Sequence, residues 1–215
     1  MKKSTRSAAA KTALKSNIKI NGKARPAAAR TKAKATAKTA TSPADCDPND
    51  PEMMKAWQAA MTPSSGHRRL EPLVGTFSTR TSMWMAPGAP EASSEGVSEH
   101  RWAVGGRYLE QSYRGTFMNM PFEGLGFTGF DNVQGKYVGV WMDSFGTGLM
   151  NSTSIGKPSD KQIDFESTCI APGNKTMKFR CLIKFQGNDR HTYEMYMKLP
   201  NGKEHLQMRV EYKRK

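Results

Sequence analysis

From about Leu73 to the C-terminus, short runs in which apolar and polar residues alternate are broken repeatedly by turn chemistry. The pattern predicts ten strands, at about 74–85, 92–102, 108–117, 122–131, 136–143, 148–155, 162–169, 176–185, 190–198 and 204–213. The breaks read "APGAP", "VGG", "DNVQGK", "GKPSDK", "APGNK", "QGND" and "LPNGK". Asn201–Gly202 is the strongest hairpin signal among them. In the last strand Leu206, Met208, Val210 and Tyr212 share one face, and Gln207, Arg209 and Glu211 the other. No helical run after residue 73 is long enough for a parallel crossover, so the sheet reads as an antiparallel meander. Left open, it would expose two edges, and closing on itself removes them. The expected fold class is therefore all-β: a closed antiparallel up-and-down barrel of about ten strands over residues 67–215.

Upstream the period changes. "PEMMKAWQAAM" spaces Met53 or Met54, Trp57 and Met61 three or four residues apart, with Asp50 as N-cap and Pro51 at the first helical position. One short amphipathic helix is expected within residues 50–66, packing Trp57 on the barrel. A second helical turn is expected over "SSGHRRLEP". Residues 1–46 are Lys- and Ala-rich and carry no aromatic side chain. They cannot bury enough apolar surface to offset the entropy of ordering, so they read as a disordered tail and linker.

Charge sharpens this division. The net charge of +14 comes from 33 basic and 19 acidic residues. Twelve of the basic residues lie in residues 1–44, which hold no acid. The other 21 (33 less twelve) nearly balance the 19 acids downstream, so the barrel itself is close to neutral. Spaced lysines such as Lys11, Lys15, Lys32, Lys34 and Lys38 suit a non-specific polyanion clamp on nucleic acid, or equally a solvated tail. No run approaches the roughly 18 apolar residues of a membrane helix, and no secretory apolar core follows the basic start. Three cysteines, Cys46, Cys169 and Cys181, have no metal-site spacing and point to a reducing compartment. The chain reads as cytoplasmic, or nucleoid-associated if the tail binds nucleic acid. Cys169 and Cys181 would pair only if their Cα atoms came within about 7 Å; two buried thiols acting as small hydrophobes is the favoured reading.

Within "PFEGLGFTGFDNVQGKYVGVWMDSFGTGLM", Pro121 to Met150, glycines alternate with aromatic residues. Parity puts Phe122, Gly124, Gly126, Thr128 and Phe130 on one face and Tyr137, Gly139, Trp141 and Asp143 on its partner. Either rings pack over glycines, or the missing side chains open a hollow lined by Trp141 and Asp143. A barrel of this strand number is wide enough for a small ligand. Asp143 facing a closed interior must be paired, hydrogen-bonded or protonated; alternatively it ends its strand by bonding the "SFGTG" turn. Arg107, after two glycines, is placed either toward the lumen, to meet Asp143 or a ligand acid, or in solvent. Trp102 reads as core or lining. His191 and Glu194 fall on opposite faces of one strand. The candidate ligand-binding set is Trp102, Arg107, Tyr113, Trp141, Asp143, His191 and Glu194. No metal site, nucleophile elbow or phosphate loop is present in the pattern. No cofactor is expected, although a lumen histidine such as His191 leaves haem open.

"LVGTF", "MWMAPGAP", "RWAVGGRYLE", "PFEGLGFTGFDN", "KYVGVWMDS", "DRHTYEMY" and "VEYKRK" together resemble a bacterial lipocalin-like family catalogued as domain of unknown function 1579. The resemblance runs from about His67 to the C-terminus. It implies kinship with calycin barrels, whose members carry fatty acids, retinoids or haem in the lumen. Phe77 stands where relatives usually carry a floor-plugging Trp. The expected function is a non-enzymatic barrel holding a small, mostly apolar ligand, of unspecified oligomeric state. The alternatives are a small enzyme using Asp143 or Glu194 as general acid/base, and a nucleic-acid-associated protein working through the tail.

Overall fold

The structure is a computed structural model that describes residues 50–159 and 161–215. The expectations for the basic tail, its lysines and Cys46 lie outside the described residues. Ten antiparallel strands follow one another as a meander: β1 (Gly75–Met83), β2 (Ala92–Ala103), β3 (Tyr108–Phe117), β4 (Met120–Asp131), β5 (Lys136–Asp143), β6 (Met150–Ser154), β7 (Gln162–Ala171), β8 (Lys175–Phe185), β9 (Arg190–Lys198) and β10 (Glu204–Arg214). Each pairs with its sequence neighbour, and β1 pairs with β10, so the barrel is closed. The hairpin at Asn201–Gly202 forms as its chemistry dictates, with Gly202 at φ +81°.

The two ends differ. At the end where β1 begins, the preceding chain folds under the barrel. Helix α2 (Ser65–Arg68) opens with Ser64 and His67 capping each other's backbone, and a 3₁₀ turn (Glu71–Leu73) follows. His67, Leu70 and Leu73 are buried. Leu70 and Leu73 join Leu109, Tyr137, Ile163 and Phe165 in the main core. The Tyr137 hydroxyl donates to the Gly66 carbonyl at 3.0 Å. Phe77 is fully buried at this floor, with the Arg214 guanidinium 4.7 Å above its ring. Arg214 in turn donates to the Val74 and Pro72 carbonyls at 2.6 and 3.0 Å. Phenylalanine therefore fills the plug position.

Two expectations are corrected here. Helix α1 (Pro51–Met61) forms with Asp50 as its N-cap, but Trp57 does not pack on the barrel. Met54, Trp57 and Met61 are all more than half exposed. The helix is held instead by its C-terminal carbonyls, the groups a helix cannot satisfy itself. Arg107 donates to the Met61 carbonyl at 2.6 Å, and Asn132 donates to the carbonyls of Ala59 and Thr62 at 2.9 and 2.7 Å. Leu206 also departs from its expected face. A β-bulge between Leu206 and Met208 inserts a residue, so Leu206 pairs with outward-facing Tyr196, while Met208, Val210 and Tyr212 still face in.

Candidate functional site

The upper half of the barrel is hollow. A cavity of about 500 Å³ runs from the main core toward the end formed by the β3–β4 and β5–β6 connections. Its wall is mostly aromatic, aliphatic and sulfur-bearing, with Tyr113, Phe122, Trp141, Met150, Met195 and Met208 contributing. The glycines explain the space. Gly124 and Gly126 of β4 pair with Asp143 and Trp141 of β5. A methyl group at Gly124 would fall on the Trp141 ring, and one at Gly126 would stand 2.8 Å from its Cε3. The indole therefore lies flat on glycine backbone along the wall. Tyr113 does likewise: a methyl at Gly96 would meet its hydroxyl at 2.5 Å, and one at Gly115 would meet the ring at 3.0 Å. Ring-over-glycine packing and a hollow interior are thus one arrangement.

Asp143 ends β5 at the open end. Its Oδ2 accepts from Trp141 Nε1 at 2.9 Å and its Oδ1 from the Phe145 backbone N–H at 3.0 Å. Both sequence readings of Asp143 hold together: it lines the lumen and it bonds the following turn. Beside it Phe117, Phe122 and Phe145 cluster, with ring centroids 5.0 Å apart for Phe117–Phe145 and 5.5 Å for Phe122–Phe145. Polar groups deeper in the cavity are mutually satisfied. The Tyr113 hydroxyl is 3.4 Å from both Thr79 and Thr81 hydroxyls, and Gln111 Nε2 donates to Tyr212 Oη and Ser98 Oγ, each at 3.1 Å.

Of the seven candidate residues, Tyr113, Trp141 and Asp143 come together on the cavity wall. The other four lie elsewhere. Trp102 packs against the main core near the floor, its Nε1 donating to Glu71 Oε2 at 2.9 Å. Arg107 stands at the floor end, holding the α1 carbonyls, with the length of the barrel between it and Asp143. The expected Arg107–Asp143 pairing is therefore absent: strand direction puts the start of β3 and the end of β5 at opposite rims. Glu194 faces outward, as its parity with His191 requires. It is buried under Lys184 at 2.7 Å, Tyr196 at 2.7 Å and Arg209 at 3.0 Å. Burial alone would raise its carboxyl, but these donors hold it below the ordinary value. It has no access to the lumen as an acid or base.

His191 lies behind the lining, stacked on Tyr212 at 4.1 Å and edge-on to Phe77 at 4.8 Å. His100 completes this cluster, its ring 5.7 Å from that of His191 and its Nε2 2.8 Å from Ser98 Oγ. Burial pushes His191 down to about 3, reinforced by His100 and Arg214. Burial takes His100 down to about 4, against a backbone bond to Leu73 that favours the proton. Both imidazoles are neutral structural groups. The haem reading needs an imidazole facing open space, and His191 instead sits among rings beneath the cavity. Among the described residues no group of three His, Cys, Asp or Glu side chains could hold a metal ion.

Sequence reading did not foresee the sulfur row. Register places Met83 opposite Met208, Met208 opposite Met195, and Met195 opposite Cys181, so four adjacent strands carry sulfur at one level of the wall. The alternation grouped Met208 with Val210 and Tyr212 on one face of its strand, but only the register brings the four sulfur-bearing side chains together. The same register keeps the cysteines apart: Cys169 faces Met177 and Cys181 faces Phe165, four residues along β8. Both thiols are free.

The solved structure of Rv2717c from M. tuberculosis is similar at 14% identity, over 72% of this chain and 99% of that one, with a TM-score of 0.52. A redesigned β-barrel is similar more distantly, at 13% identity over 69% of this chain and 96% of that one, with a TM-score of 0.38. Among curated proteins none matches. No helix among the described residues is long and apolar enough to cross a membrane. The family model of DUF1579, proteins of unknown function, matches residues 62–214, the floor segment and all ten strands together, and the chain belongs to that family.

Proposed function

We propose that the barrel is a binding protein for a small, mostly apolar molecule held in its lumen. The observation that carries this reading is the unfilled interior: about 500 Å³, within the roughly 300–1,000 Å³ typical of ligand pockets, with a largely apolar wall and a few oriented polar groups. Methionine adds polarisable, adaptable surface of the kind used where a ligand must be accommodated rather than matched. An acid/base reaction finds little support in the same geometry. Asp143 has no second acid or base beside it in the lining, and Glu194 and His191 lie outside it.

The test is titration of the full chain with the neutral dye N-phenyl-1-naphthylamine. Saturable fluorescence enhancement is expected. Thr128→Trp places a large side chain on the cavity wall and is expected to lower the affinity at least tenfold while leaving the far-ultraviolet circular dichroism unchanged. Absence of dye binding, or binding indifferent to Thr128→Trp in a folded protein, overturns the reading.

A further inference from the structure

The cavity wall carries one formal charge. Asp143 is the one acidic residue in its lining, and no Lys, Arg or His lines it. Asp143 makes no ion pair among the described residues. Each of its oxygens accepts one hydrogen bond from the protein, whereas a carboxylate oxygen has room for two. One acceptor site per oxygen is left over.

The surroundings favour positive charge. Phe117, Phe122 and Phe145 gather at this mouth, and Tyr113 meets Phe122 with centroids 5.6 Å apart. Trp141 rests one ring face on Gly124 and Gly126, which leaves the other toward the lumen. Aromatic faces are negative and attract ammonium groups, most of all where water is partly excluded. A ligand carboxylate would meet the reverse: a like charge, negative ring faces and no cation to replace its hydration.

Resting on the lumen reading, we propose that the mouth selects ligands bearing an ammonium head group, primary or quaternary, on an apolar body, and rejects apolar acids. The head group sits between Asp143 and the phenylalanine rings; the apolar body runs down past Trp141 toward Met195 and Met208.

Three probes with one chain length separate the possibilities: decyltrimethylammonium, decanol and decanoate, each below its micelle concentration. They compete with N-phenyl-1-naphthylamine on the full chain at low salt. The cation is expected to bind about tenfold more tightly than the alcohol and decanoate more weakly than either. In Asp143→Asn the cation-to-alcohol affinity ratio is expected to fall toward one. In Phe145→Leu, which keeps apolar volume at a residue already 45% exposed, the ratio should fall partway. Glu123→Gln removes the same charge from a solvent-exposed side chain on the outer wall and should leave the ratio intact. If Asp143→Asn does not fold, the Phe145→Leu and Glu123→Gln pair decides. Alcohol binding without preference for the cation, or decanoate binding as tightly, overturns this inference and spares the lumen reading. Failure of all three probes and the dye removes the lumen reading itself.

Discussion

A glycine's missing side chain is the smallest feature that matters here. Gly124 and Gly126 let the Trp141 indole lie on the wall, and that pose brings its N–H to Asp143. Gly124→Ala would drive a methyl group into the ring. Overpacking of this kind costs about 1–3 kcal/mol. The ring must then rotate into the lumen, so we expect a lower Tm together with loss of N-phenyl-1-naphthylamine binding. A stability loss with unchanged dye affinity would mean that the ring does not gate the space. The residues were legible as a set of glycines and rings on facing strands. Their outcome was not, because parity places a side chain on a face without saying whether it lies along the wall or across the lumen.

Strand existence and limits were the most legible features of the elements: β3, β5 and β9 span the predicted residues, and the others differ by a few positions. Alternation and turn residues are local, and local signals set where a strand starts and stops. Partners of the irregular pieces were less legible. Helix α1 carries an apolar stripe that the barrel does not use, and its attachment runs through Arg107 and Asn132 to carbonyl oxygens. Any sequence forms such carbonyls, so no pattern in residues 51–61 announces the contact. Arg107→Ala is expected to destabilise the folded protein by about 1–2 kcal/mol, through loss of charged hydrogen bonds at a partly exposed site. Amide exchange in residues 51–61 should quicken while dye binding in the lumen stays as it was. Unchanged exchange there would show that Asn132 alone holds the helix.

Closure of β1 on β10 traps His100 of β2 and His191 of β9 against Phe77, Tyr212 and Arg214. Both are held neutral, at about 4 and about 3 against an ordinary 6.5. The unfolded chain therefore binds more protons below pH 6.5 than the barrel does. Stability is full above that pH and is lost as pH falls toward the two folded values. The shift at His100 alone corresponds to about 3 kcal/mol across the window. The urea midpoint is thus expected to fall steadily from pH 6.5 to 5, where carboxylates of ordinary pKa remain charged, and His100→Gln should flatten that fall. An unaltered slope in the variant would assign the pH dependence elsewhere.

The ten strands, their antiparallel succession and the need to close could be read from the chain alone, since each follows from local alternation, short turns and the cost of bare edges. Alternation also sorted the side chains of each strand into two faces, except where the bulge at Gln207 reversed Leu206. Folding in three dimensions was needed to set Arg107 and Asp143 at opposite rims, to keep Cys169 and Cys181 apart, and to bring Met83, Met208, Met195 and Cys181 into one row. These depend on register and on which end of each strand reaches which rim. Such relations join residues distant in the chain, and a period of two along a single strand carries no information about them.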